Sequence, residues 1–203
     1  MDKILTPSES RMKQIIEAAL FAAGRPLAEK QLISLFIPAD PKISLQDTLV
    51  ALKQSGIYQT LQSQVKTCLH SLQQECKQRG IELQEVASGW RFQVKTKLAP
   101  HLASLWAQKT PRYSRALLET LALIAYQQPI TRTEIEIVRG VAVSSTIIHK
   151  LLSFGWIQTA GHKDCVGRPM LFATSKQFLD DFNLTSLQQL PQLKAFSPVL
   201  NAE

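Results

Sequence analysis

Ala19-Leu20-Phe21-Ala22-Ala23-Gly24-Arg25-Pro26-Leu27, with Leu32 five residues on, returns in the middle of the chain as Ala122-Leu123-Ile124-Ala125-Tyr126-Gln127-Gln128-Pro129-Ile130, with Ile135 five residues on. Ala, Leu, Ala and Pro match outright, and Phe21/Ile124, Leu27/Ile130 and Leu32/Ile135 match in kind. The pattern predicts a helix, a turn fixed by proline, then a second helix. A stretch that recurs at such a distance predicts two modules of one kind. The 203 residues suffice for two domains, each with a small but workable core.

Around the first copy, Met12, Ile15, Ile16, Ala19, Leu20 and Ala23 form a helical stripe that Ser8 or Ser10 can cap. A short helix over 28–36 follows, with Leu32, Ile33 and Phe36 inward. Residues 37–62 read as an insertion: Pro38, Pro41 and Ser55-Gly56 break the pattern around a helical stretch at 45–54. Val65, Leu69, Leu72 and Cys76 predict a helix from Ser63 to Arg79, with Gly80 just past its end. Ile81 to Val86 and Trp90 to Val94 then alternate apolar and polar residues across Ala87-Ser88-Gly89, which predicts a hairpin. Helices followed by a hairpin read as a winged helix, the hairpin covering the open side of the helical core.

The second copy repeats the plan. Ser114 caps a helix carrying Leu117, Leu118, Leu121, Ile124 and Ala125, and Thr131 with Glu134 makes a capping box for a helix ending at Arg139-Gly140. Ser144 caps a third helix running through Phe154, with Ile147, Ile148, Leu151 and Leu152 on one face, and Gly155 stops it. Trp156-Ile157-Gln158 and Met170 to Ala173 predict a second hairpin joined by Gly161 to Pro169, and a short helix over 176–182 follows. The expected fold is mainly α with small β-hairpins (α+β), built as two tandem winged-helix domains. They span 1–96 and 114–191, with a connector at 97–113, helical over 98–108, and a disordered tail at 192–203.

Composition narrows the chemistry. The net charge is +7, with thirteen Lys and Arg against nine Asp and Glu up to residue 100 and ten against seven beyond it. The excess is spread evenly, so no dense basic block marks a tail for DNA or lipid. Cys68, Cys76 and Cys165 are odd in number and lack paired spacing, which excludes a disulfide framework and fits reduced thiols. The first ten residues lack the apolar stretch of a signal peptide, and no run is long enough to span a bilayer. A cytoplasmic protein is expected.

No catalytic constellation is visible. His70, His101, His149 and His162 are scattered, no pair has metal-ligand spacing, and no nucleotide-binding glycine motif occurs. Gly167-Arg168-Pro169 is not followed by a helix, so it lacks the amide donors of a phosphate loop. It reads as a wing tip whose Arg168 can reach a backbone phosphate or a partner's carboxylate. The expectation is a protein that is not an enzyme, without cofactor, metal or small-molecule substrate.

A DNA-reading third helix needs side chains that reach bases, chiefly Arg, Lys, Asn and Gln. The second module offers Ser144, Ser145, Thr146, His149, Lys150 and Ser153 there, a poor reading surface. The first module is richer, with Gln64, Lys66, His70, Gln73, Gln74, Lys77, Gln78 and Arg79, and this side can touch DNA, pair with a protein or face solvent.

The segments Leu118 to Ala122, Ile124-Ala125-Tyr126, Gln128 to Arg132, Glu134-Ile135, Val138 to Val141 and Gly167-Arg168-Pro169 closely resemble segregation and condensation protein B (ScpB). So does the ending Phe178-Leu179, Phe182, Leu184, Ser186-Leu187 and Leu190-Pro191. The resemblance is weaker in the first module, through Ile15 to Ala22 and Gly24-Arg25-Pro26-Leu27. It implies a homodimer paired mainly through the first domain and a kleisin partner, ScpA. Through the kleisin it implies the SMC ATPase of a condensin that compacts and partitions the chromosome. The protein would then associate with the nucleoid, with any direct DNA contact weak or indirect. The chain departs from the family pattern in the length of 37–62 and in His162 and Cys165 of the second hairpin loop. Arg139 and Arg168 are the candidate partner-binding residues. The alternative is a winged-helix DNA-binding transcription regulator, resting on the basic charge and the Lys- and Gln-rich helix.

Overall fold

A computed structural model of the chain describes residues 7–37, 56–105 and 112–192. The helical stretch read at 45–54 and most of the insertion around it, the connector from 106 to 111, and the tail beyond Gln192 lie outside the described residues. The chain divides into two compact units, Met1–Ala107 and Gln108–Glu203. Both are rich in helix and carry a small antiparallel sheet, an α+β architecture.

In the first unit α1 (Glu9–Ala23) buries Met12, Ile16 and Leu20, one residue per helical turn. Gly24 closes it in the left-handed region, φ 60°, where a residue without a Cβ is unstrained. α2 (Glu29–Ser34) adds Leu32 and Ile33. α3 (Ile57–Glu75) packs across both with Tyr58, Leu61, Val65, Cys68, Leu69 and Leu72 buried. This helix starts six residues before the expected Ser63, because Tyr58 and Leu61 extend the apolar stripe back to Gly56. It also ends early, passing at Cys76 into a short 3-10 turn. Gly80 is therefore not a left-handed helix terminator; it lies against Leu98. The hairpin of β1 (Ile81–Val86) and β2 (Gly89–Val94) folds Leu83 and Val86 inward. Leu27 pairs with Trp90 on the outer side of β2, each N–H donating to the other's carbonyl at 2.9 Å. After the hairpin the connector is helical only in short pieces, a 3-10 turn and α4 (Ala99–Leu102) among them.

In the second unit α5 (Arg115–Gln127) is capped by Ser114, whose Oγ accepts the Leu117 N–H. α6 (Arg132–Arg139) begins at the expected capping box: the Thr131 hydroxyl accepts the Glu134 N–H at 3.3 Å, and the Glu134 carboxylate accepts the Thr131 N–H at 2.8 Å. α7 (Ser145–Ser153) follows, but the Ser144 side chain makes no capping bond. β4 (Ile157–His162) and β5 (Met170–Thr174) form the hairpin, and α8 (Lys176–Asp181) is capped by Ser175. A short strand absent from the sequence reading, β3 (Ile130–Thr131), pairs with β5 through Ile130↔Phe172 and Thr131↔Leu171. The core gathers Leu117, Leu121, Ile124, Ile135, Val143, Leu151, Trp156, Phe172 and Phe178, among others.

The repeated stretch holds at the turn and slips in the helix. Leu27 and Ile130, aligned by sequence, both pair with the second strand of their hairpin. Phe21 and Ile124, also aligned, do not correspond: Ile124 is 0% exposed and Phe21 is 80% exposed. The buried stripe of α1 runs 12, 16, 20, whereas that of α5 includes 117, 121, 124 and 125, so the helices present different faces to their cores.

Candidate partner-binding surfaces

Among the described residues, no group of three His, Cys, Asp or Glu could hold a metal ion, and no helix is long and apolar enough to cross a membrane. Cys68 and Cys76 are buried thiols and Cys165 is exposed. Burial pushes the thiol pKa of both Cys68 and Cys76 up, which keeps them protonated and unreactive.

Part of the polar side of α3, and Arg79 just past its end, is engaged within its own unit. Arg79 pairs with Glu17 at 3.3 Å, Glu75 pairs with Lys13, and Gln73 donates to the Leu83 carbonyl. Lys66 reaches Glu29 only at 3.9 Å, and Lys95 donates to the Lys77 carbonyl. The exposed side of α7 offers Ser145, Thr146, His149, Lys150 and Ser153, a single formal charge. Between α7 and β5 lies a cavity of about 290 Å³ walled mainly by Ile148, Leu152, Met170 and Phe172, with Arg132 and His149 at its border.

The two arginines fall in different settings. Arg139 is drawn inward. Its side chain is 9% exposed, bonds Glu119 at 2.9 Å and donates to the Thr120 hydroxyl at 3.2 Å, locking α6 onto α5. Glu119 also accepts from Arg115, and bonds from Arg115 and then Arg139 lower its carboxyl pKa. This ionic cluster borders a groove of about 440 Å³ between α5 and α6, floored by Ala122, Leu123, Tyr126 and Val138. Beyond it Ile137 is 73% and Val141 55% exposed, large apolar side chains in water. Arg168 is exposed in the loop between β4 and β5 at φ 38°, with its N–H held by the Cys165 carbonyl.

That loop is tied to the helical core through Lys163, which pairs with Glu134. Hydrogen bonds from Lys163, then from the Thr131 backbone and side chain, bring the Glu134 carboxyl to about 2 from an ordinary 4.5. A depressed carboxyl pKa gives stability that is complete above the unfolded value and is lost as pH falls through the folded one. The thermal midpoint of the second unit is therefore expected to fall between about pH 4.5 and pH 2 more steeply in the native chain than in Glu134→Gln. The two chains should converge near pH 2, and parallel pH profiles would contradict this coupling.

Sequence reasoning singled out Arg139 and Arg168 but passed over Glu119, which organises Arg139, and Gln128, whose side chain closes the outer edge of β5. Phe21 was readable as exposed: it stands one residue past the 12, 16, 20 stripe, about 100° round the helix.

Residues 14–193 match the family model described as "Segregation and condensation complex subunit ScpB". The chain is 51% identical over 187 residues to a segregation and condensation protein B homolog of Coxiella burnetii, covering 92% of this chain and 81% of that one. It is 38% identical over 188 residues to segregation and condensation protein B of Syntrophotalea carbinolica, covering 92% and 84%. Among solved structures it is similar to an ScpB N-terminal domain dimer complexed with an ScpA peptide, at 26% identity and a TM-score of 0.35, over 52% of this chain and all of that one.

Proposed function

The chain belongs to the ScpB family of segregation and condensation complex subunits, and on that premise we propose that it is a non-catalytic accessory subunit of a bacterial SMC–kleisin condensin, acting in chromosome condensation and partition. The observation that carries this reading is the family match along residues 14–193, nearly the whole chain. In it the two units are winged helices, at 1–96 and 114–191, joined by the connector at 97–113. Copies of the first unit pair with one another, and the homodimer grips one kleisin chain, ScpA, asymmetrically. Held this way the kleisin is stiffened, which biases the opening and closing of the SMC ATPase ring. The protein works in the cytoplasm, on the nucleoid through the complex.

Affinity in such an interface comes from a few desolvated apolar anchors, while charges set orientation and association rate. Ile137, Val138, Val141 and the groove between α5 and α6 supply the apolar part. Arg168 is free to meet a partner's carboxylate directly. Arg139 contributes by positioning Glu119 on the groove's border. The regulator reading predicts steep salt dependence and a sequence preference, yet Gln73 and Arg79 of the first module's polar side are engaged internally and the exposed side of α7 carries one lysine.

Co-purification tests the proposal. The chain and the ScpA kleisin of the same cell, both folded and mixed at micromolar concentration, are expected to elute together. Separate elution contradicts it.

A further inference from the structure

The two copies of the repeated turn treat the outer edge of their hairpins differently. In the second unit, Ile130 lies opposite Phe172, and two residues further along β5 the Thr174 N–H points out of the hairpin. It donates to the Gln128 side-chain oxygen at 2.7 Å, which also accepts the Thr174 hydroxyl at 2.9 Å. That edge is closed from within the chain.

In the first unit Leu27 lies opposite Trp90, and the residue two further along is Phe92. Trp90 exchanges both its backbone bonds with Leu27, while the Lys95 N–H turns the other way to the Gly80 carbonyl. Backbone direction alternates along a strand, so the Phe92 and Val94 N–H and C=O groups face away from β1. Among the described residues no backbone group reaches them from that side. The repeat aligns Arg25 with Gln128, and a guanidinium has donors but no acceptor. Arg25 therefore cannot do for the Phe92 N–H what Gln128 does for Thr174. None of the ion pairs among the described residues of this unit includes Arg25 either.

Beside this edge lies a cleft of about 450 Å³, with Leu20, Phe21, Arg25 and Pro26 on one wall and Phe92 and Val94 on the other. Phe21 is 80% and Val94 39% exposed. An open strand edge is a template for another strand, and main-chain bonds there give affinity while flanking side chains give selectivity. A helix has no free backbone groups along its length to offer; an extended segment does.

We propose that this cleft receives a short extended segment of the kleisin as an added strand on the Phe92–Val94 edge of β2, with an apolar side chain against Phe21 and a carboxylate on Arg25. This rests on the kleisin-binding reading and specifies where and in what conformation the partner sits on the first unit. Charge complementarity selects the occupant: Arg25 is exposed and Arg91 also lines the cleft, and an apolar wall bordered by cations fits an acidic–apolar strand. A second copy's own edge would bring another Arg25 to the same cleft.

The test titrates the full chain and three variants, Phe21→Ser, Arg25→Glu and Val94→Pro, with the full-length ScpA kleisin. Phe21 and Arg25 are exposed, and the Val94 N–H faces away from β1, the position where an edge strand tolerates proline. Each variant is expected to bind roughly tenfold more weakly, the loss of about one interfacial bond or anchor. In the native complex, amide exchange at Phe92 and Val94 should slow. Unchanged affinity in all three variants, with no slowing at these amides, overturns the strand site while kleisin binding stands. Weakening by Phe21→Ser alone means apolar docking without strand pairing, and also overturns it. If Val94→Pro halves the mass of the free protein, the edge belongs to a self-pairing interface and the proposal fails. If the native chain binds no kleisin, the functional reading itself fails and the proposal falls with it.

Discussion

Gly89→Ala is expected to destabilise the first unit by about 4 kcal/mol or more, at the upper end of what single substitutions do. Gly89 opens β2 at φ 136°, a conformation that side chains rarely adopt. A Cβ there would stand 2.1 Å from the Leu27 carbonyl oxygen and 2.6 Å from the Ala28 nitrogen. Those are backbone atoms of the rung between Leu27 and Trp90, so no rotamer change relieves the clash. Either the hairpin or the turn after α1 must move, and with it one wall of the cleft beside Phe21. Gly80→Ala is the control. Its φ is ordinary and its Cβ would meet only the Leu98 side chain at 3.3 Å, so a change within about 1 kcal/mol is expected. Denaturant unfolding followed by amide exchange on the β1–β2 hairpin measures both. Equal effects from the two substitutions would show that the Leu27–Trp90 approach is not what requires glycine.

The second large effect is in the other unit. Trp156→Ala is expected to cost about 3–5 kcal/mol, the range for removing a buried aromatic ring. Trp156 is 7% exposed and its ring packs with Tyr113 at 5.1 Å, Phe154 at 5.0 Å and Phe182 at 5.3 Å. Its indole N–H donates to Asp181 at 2.8 Å, tying the start of the hairpin to the end of α8. Trp156→Phe keeps most of the ring contact and loses the bond, so a smaller loss of about 1–2 kcal/mol is expected. Unfolding of the second unit, followed by amide exchange in α5 and β5, separates the two cases. A phenylalanine variant as unstable as the alanine one would move the weight from packing to the Asp181 bond.

The sequence carried the outline where local chemistry is self-sufficient. Thr131 with Glu134, Ser114, Gly24 and Gly140 mark helix ends by bonds or backbone conformations that involve near neighbours only, and the structure has them where they were expected. The alternation in 81–86 and 90–94 located the first hairpin for the same reason. What escaped depends on distant partners. The two-residue strand Ile130–Thr131 exists only because β5 lies beside it, and its own sequence is too short for a period. The start of α3 escaped because Gly56 looks like a break, although Tyr58 and Leu61 beyond it are buried against the core.

The surfaces were less legible than the fold. Arg139 sits at the end of an amphipathic helix and reads as exposed; only the pairing of α5 with α6 shows that it turns onto Glu119 and Thr120. Gln128 and Arg25 occupy equivalent places in the repeat and look like interchangeable turn residues. Their difference, one able to accept a hydrogen bond and one not, matters only once Thr174 is seen to meet Gln128 while Arg25 and Phe92 border one cleft. Divergence between duplicated copies thus becomes informative through the backbone groups each copy must satisfy.

In the proposed function this chain forms a homodimer that holds a kleisin. Light scattering on the eluting protein, alone and mixed with the ScpA kleisin, tests it most directly. The expected mass alone is twice the 22.7 kDa of one chain. With the kleisin it should rise by a single kleisin mass, the two copies sharing one partner. A 22.7 kDa species that stays unchanged when the kleisin is added would contradict the account.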